Sequence, residues 1–207
     1  MDITSELNDL QRSVHQVRTD GLEGIGLLLR RDYQAAAEDV WKALTDPAML
    51  RRWFLPVSGE LEPGGTFQLE GNAAGNILKC EAPALLRLTF GSPTSVVEIR
   101  LVEHGSHTSL EFEHTVDLET AGSGAGALFV GPGWDLALVA LGLFLAGRFT
   151  GDPSEWENSR EVREASQLSI DAWAAAAEAS GTATAEEIEQ GVAVATAQFT
   201  EDPAAGN

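Results

Sequence analysis

The chain has 207 residues, with 13 Lys plus Arg against 32 Asp plus Glu and a formal charge of −19 at neutral pH. With 43% hydrophobic and 22% charged residues it can bury a core, which excludes a disordered polymer, and so acidic a surface repels phosphate backbones and anionic lipid. No nucleic acid and no membrane are therefore expected among its partners. The single Cys80 excludes an internal disulfide, and the residues after Met1 do not read as a secretory segment. The longest apolar run, Leu136 to Gly147, is shorter than the roughly 18–20 residues of a membrane span, so a cytoplasmic address is expected.

In chain order, Ile3, Leu7, Leu10, Val14 and Val17 recur at helical spacing, which predicts an amphipathic N-terminal helix within residues 1–22, ended by Gly21. A first strand over Gly24–Tyr33 opens the main domain, read over residues 23–150. A helix over Ala35–Leu44 follows, stopped by Thr45-Asp46-Pro47, and Pro47 opens a shorter helix that carries Trp53 and Phe54. From Ser58 to Val116 the period changes to 2. Phe67 and Leu69, then Leu86, Leu88 and Phe90, then Val97, Ile99 and Leu101, and finally Leu110, Phe112 and His114 alternate with polar residues, as in antiparallel strands covered on one face.

A Gly- and Ser-rich stretch over Ala121–Ala127 reads as a loop. A helix over residues 134–149 should then cross the sheet, with Asp135 in its first turn complementing the helix dipole. That helix is apolar almost all round, so something must cover its outer side. Residues 151–207 hold 12 acidic and 2 basic residues, yet Trp156, Val162, Ile170, Trp173 and Ala177 can share one long helix. Ile188, Val192, Ala195 and Phe199 form the stripe of another, with Thr184 and Glu187 spaced as a capping box. This acidic extension is expected to pack over the long apolar helix; the alternative cover is a second copy of the chain, in a homodimer.

Particular motifs bring the reading closer to a family. Arg31-Asp32-Tyr33 precedes Val40-Trp41-Lys42-Ala43-Leu44-Thr45-Asp46-Pro47 and Trp53-Phe54. Gly64-Gly65-Thr66-Phe67, Glu81-Ala82-Pro83 before Leu85–Phe90, and Gly133-Trp134 before the long helix complete the set. Over residues 24–150 these resemble the START-like, or SRPBCC, superfamily, in the branch named for the activator of heat-shock protein 90 ATPase. The resemblance implies an α+β helix-grip fold, a curved antiparallel sheet wrapped around a long C-terminal helix, here with extra flanking helices. It also implies an apolar cavity of the order of 300 Å³ or more for a small molecule.

The cavity candidates are Trp53 and Phe54 before the sheet, then Phe67, Leu69, Leu88, Phe90, Ile99, Leu101, Leu110 and Phe112 on the strands. Trp134, Leu138 and Leu141 join them from the long helix. His114, the polar member of an apolar strand face, is the candidate to orient a ligand, against the alternative of a core histidine satisfied by the protein. His104 and His107 read as a hairpin turn, and no convergent ligand set supports a metal. Cys80 has no His near it in sequence to activate it. Gly122-Ser-Gly-Ala-Gly126 misses the dinucleotide fingerprint and reads as a mobile loop beside the cavity mouth, so no cofactor is called for. The function expected is binding of a small apolar or aromatic molecule. Alternatives are a polyketide cyclase or aromatase type of enzyme and a protein-interaction module resembling the chaperone activator.

Overall fold

Helix α1 (Ile3–Asn8) leads into strands β1 (Gln11–Thr19) and β2 (Leu22–Tyr33) in the computed structural model, which describes residues 3–19 and 22–201. A short helix and a strand thus replace the single helix expected within residues 1–22, and Gly21 lies outside the described residues. The reason lies at Arg12. Val14 of β1 is buried on the inner face, but Arg12, two positions before it, also turns inward, and its Nε donates to Asp135 Oδ2 at 2.8 Å. An inward arginine conceals a period of 2 from any reading of hydrophobicity.

Helices α2 (Ala37–Thr45) and α3 (Pro47–Leu50) follow, and the Asp46 carboxylate caps α3 by accepting from Ala48 N. The remaining strands are β3 (Val57–Gly59), β4 (Thr66–Leu69), β5 (Ala74–Glu81), β6 (Leu85–Phe90), β7 (Ser92–His104) and β8 (His107–Asp117). They form one curved antiparallel sheet in the order β1-β2-β8-β7-β6-β5-β4-β3. His104 and His107 face each other across the β7–β8 turn.

After β8 come α4 (Leu118–Ala121), a 3-10 helix (Gly124–Phe129) and α5 (Gly131–Leu145). The stretch expected to be a mobile loop is largely this 3-10 helix, with Ala125, Ala127 and Leu128 buried. Its glycine serves close approach. A Cβ at Gly124 would meet Thr182 Oγ1 at 2.0 Å. Helix α5 starts at Gly131, so Asp135 lies a turn inside it and is buried, which corrects its expected role in the first turn. Arg31 Nη1 and Tyr33 Oη both donate to the Leu138 carbonyl, at 3.2 and 2.9 Å, and so tie α5 to β2.

The extension forms α6 (Pro153–Glu157), α7 (Arg160–Ser180) and α8 (Ala185–Thr200). Trp156 belongs to α6 and not to the long helix, because the chain turns at Asn158 and Ser159 starts α7 by accepting from Val162 N. The Thr184–Glu187 capping box forms at the head of α8. Helix α7 packs against β1, α1 and α5, so α5 is covered by the sheet on one side and by α7 on the other. Trp173 of α7 is fully buried over Gly131, where a Cβ would come within 2.5 Å of the indole. Only glycine admits the ring there.

Candidate functional site

Between the inner face of the sheet and α5 lies a cavity of about 160 Å³. Trp53 and Phe54, just after α3, close one side. Phe67 and Leu69 of β4, Leu88 and Phe90 of β6, Ile99 of β7 and Phe112 of β8 supply the sheet wall. Trp134 and Leu138 of α5 complete it. The volume is smaller than the 300 Å³ expected from the resemblance, because aromatic rings pack into the space. The Trp134 ring lies 4.5 Å from that of Phe112 and 5.0 Å from that of Phe90, centroid to centroid, and Trp53 stacks on Phe54 at 5.4 Å.

Three apolar candidates lie elsewhere. Leu101 and Leu110 are opposite each other near the β7–β8 hairpin, and Leu110 also faces Arg31 across β2. Both fill the core beyond the cavity's end. Leu141 is fully buried a turn further along α5. Period 2 identifies the face of a strand that turns inward, but not the position along it where packing leaves a gap. Conversely, Ile77 and Cys80 of β5 line the cavity although their three-residue spacing breaks the alternation. A register shift between Ile77 and Lys79 in the pairing with β6 returns both to the inner face. A bulge of this kind leaves no mark in the composition of the strand.

His114 lies behind the wall and does not line the cavity. The Trp134 indole Nε1–H donates to its Nδ1 at 3.0 Å, which leaves the proton on Nε2 to be donated to Ser95 Oγ at 2.7 Å. Both ring nitrogens are thus satisfied, and burial pushes the imidazole pKa down to about 4. His114 is a neutral positioning residue that holds Trp134 against the cavity, in place of the ligand-orienting group expected on this strand. His114→Phe should therefore lower the urea-unfolding free energy by about 1–3 kcal/mol, the cost of leaving a buried donor without its acceptor. Affinity for an apolar ligand, per folded molecule, should stay as it is. Unchanged stability with weakened binding would return His114 to the ligand site.

Among the described residues no Lys, Arg, His, Asp or Glu lines the cavity, and its polar side chains are Thr45 and Cys80. Asp135 follows Trp134 in sequence but faces β1 and α7, from which Arg12 and Ser169 donate to its Oδ2. Burial raises its pKa to about 6, against the opposing pull of the Arg12 guanidinium. The Trp173 indole closes no hydrogen bond to Asp135 Oδ1, yet its proximity also favours the ionised carboxylate. Acid–base chemistry in this part of the molecule is turned away from the cavity.

A family model described as activator of Hsp90 ATPase homolog 1-like protein matches residues 34–145, just over half of the chain. The chain belongs to this family. It is also similar to CalU16 from Micromonospora echinospora. The crystal structure of that protein shares 38% identity, with 81% of this chain and 98% of CalU16 covered and a TM-score of 0.68. The solution structure shares 36% identity, with 83% and 96% covered and a TM-score of 0.71. The likeness therefore runs beyond the segment matched by the family model into its flanks. DynU16, a protein of the dynemicin biosynthetic locus, has 21% identity over 62% of this chain and 49% of its own, with a TM-score of 0.52. At that identity the likeness concerns the fold alone. No curated protein matches the sequence. The family and the eight-stranded sheet around α5 together identify the START-like helix-grip fold.

Proposed function

We propose that this protein binds a small apolar or aromatic molecule in the cavity between sheet and α5. The observation that carries the reading is an apolar wall to which, among the described residues, no Lys, Arg, His, Asp or Glu contributes, in a chain that is 22% charged. Its size supports an occupant of one ring or a short alkyl chain, since an apolar cavity of about 150 Å³ stays free of water and takes up benzene or xenon. A cyclase or aromatase needs groups within reach of the substrate to move protons. Thr45 is a poor candidate, because its hydroxyl donates to the Trp41 carbonyl at 2.8 Å. The binding reading is the stronger for it.

Toluene titrated calorimetrically into the protein should bind at one site per chain. Val97→Phe places added carbon in the cavity from β7 and should abolish that binding while the thermal transition remains cooperative. Absence of toluene binding, or equal binding to the variant, would remove the cavity as a ligand site.

A further inference from the structure

A second hollow, a groove of about 300 Å³, lies on the other side of the aromatic wall. Trp53, Phe54, Phe90, Trp134 and Ala137 line both spaces, so a partition one side chain thick separates them. The C-terminal extension supplies the outer rim of the groove with Pro153, Trp156 and Glu157 near α6 and Phe199 on α8. Trp156 is held there by Phe149, with ring centroids 5.4 Å apart.

The charges of the two spaces are unequal. Among the described residues Glu157 is the one carboxylate lining either space, and no Lys, Arg or His lines either of them. Its carboxylate accepts no hydrogen bond and forms no ion pair within the described residues. The nearby guanidiniums are engaged elsewhere: Arg163 donates to the Asn158 carbonyl, and Arg160 pairs with Glu164. The Glu157 side chain retains access to water, and the surrounding apolar walls raise its pKa above the usual carboxylate value. An anionic end group placed in this groove would face a carboxylate with no counter-charge, across walls that screen the repulsion less than open water does.

We propose that the groove is the outer compartment of the binding site, built by the C-terminal extension, and that it selects elongated aromatic or alkyl molecules ending in an amine over those ending in a carboxylate. The apolar part enters the inner cavity when the Trp134 and Phe90 rings, 5.0 Å apart between centroids, swing aside, and the ammonium then reaches Glu157. This rests on the reading of the inner cavity as a ligand site. The net charge of −19 favours cations anywhere on the surface, so the selectivity must be traced to one carboxylate.

The test compares toluene, 4-phenylbutylamine and 4-phenylbutyrate by calorimetry on the full-length protein at pH 7.5 and physiological salt. The amine should bind about tenfold more tightly than the carboxylate, as expected for a partly solvated charge-assisted hydrogen bond. Glu157→Gln should erase most of that preference. Glu155→Gln, on the same helix but outside the lining, should keep it. Equal affinities for amine and carboxylate, a preference that survives Glu157→Gln, or one lost equally in Glu155→Gln would overturn the proposal. If toluene binds while any of these holds, the outer compartment alone is refuted. If toluene does not bind, the inner cavity fails as a ligand site and the outer compartment with it.

Discussion

A chain ending at Gly151 is expected to aggregate, or to melt far below the full-length protein. Truncation there removes α6, α7 and α8 and strips α5 of its cover by α7, leaving the sheet with α1, α2 and the 3-10 helix against it. Val162, Ile170 and Trp173 are 0–1% exposed in the full chain. Burial of each such side chain stabilises by about 1.5–3 kcal/mol. Losing three of them costs about 5 kcal/mol or more, the lower end of the total stability of a domain. The cut also uncovers Val139 and Leu143 on α5, apolar surface that would then seek another copy of the chain. Opposing this, it removes 12 acidic and 2 basic residues, relieving self-repulsion that salt already screens. Circular dichroism melts with size-exclusion chromatography decide the matter. A monomeric truncated chain that melts at the original temperature would mean that the extension contributes nothing to the fold.

Arg12→Leu should destabilise the protein by about 3–5 kcal/mol at neutral pH, as removal of one partner of a buried ion pair does. Among the described residues Arg12 is the one cation paired with Asp135, whose carboxylate has no exposure to water. The pH dependence identifies the cause. The pKa of Asp135 rises on folding from 3.8 to about 6, so between these values the folded state holds a proton that the unfolded chain has released. Its contribution to stability is therefore greatest in acid, falls as pH rises from about 4 to 6, and levels off above. Without Arg12 the folded pKa moves higher, and the fall continues into the neutral range. The deficit of the variant should thus be smallest near pH 4, where only the lost hydrogen bonds to the Leu7 and Leu10 carbonyls remain to be counted, and largest above pH 7. His114 works in the opposite direction: its folded pKa of about 4 means that stability is lost as pH falls from 6.5 toward 4. The difference between variant and parent cancels this second contribution. Urea unfolding of both proteins at pH 4.5, 6 and 7.5 measures it, and a deficit independent of pH would show that Arg12 acts by packing and its backbone hydrogen bonds and not through the charge of Asp135.

The fold was legible in the sequence because its signals are local. Alternation at Leu86, Leu88 and Phe90, and again at Val97, Ile99 and Leu101, shows which faces turn inward. Pro47 and the Thr184–Glu187 spacing mark where helices start, and the motif from Val40 to Pro47 joins these elements into a known family. Hydrophobic periodicity also supplied much of the cavity wall, since most residues inside the grip of a curved sheet are apolar whether they fill the core or border a gap.

Only the tertiary structure decided the rest, where a residue's role depends on a partner far along the chain. The strand β1 was hidden in the sequence because Arg12 takes an inward position, and its counter-charge Asp135 lies 123 residues away. His114 reads alone as a ligand group; Ser95 and Trp134, which use both of its nitrogens, have no spacing to it that a strand or helix would reveal. Leu101 and Leu110 share a face with Ile99 and Phe112, and only packing shows that the gap stops short of them. Whether a mostly apolar set of side chains closes into solid core or leaves about 160 Å³ depends on how large rings from the segment after α3 and from β6, β8 and α5 meet. Composition and periodicity determine which residues are buried; shape complementarity among distant ones determines where they fail to fill the space.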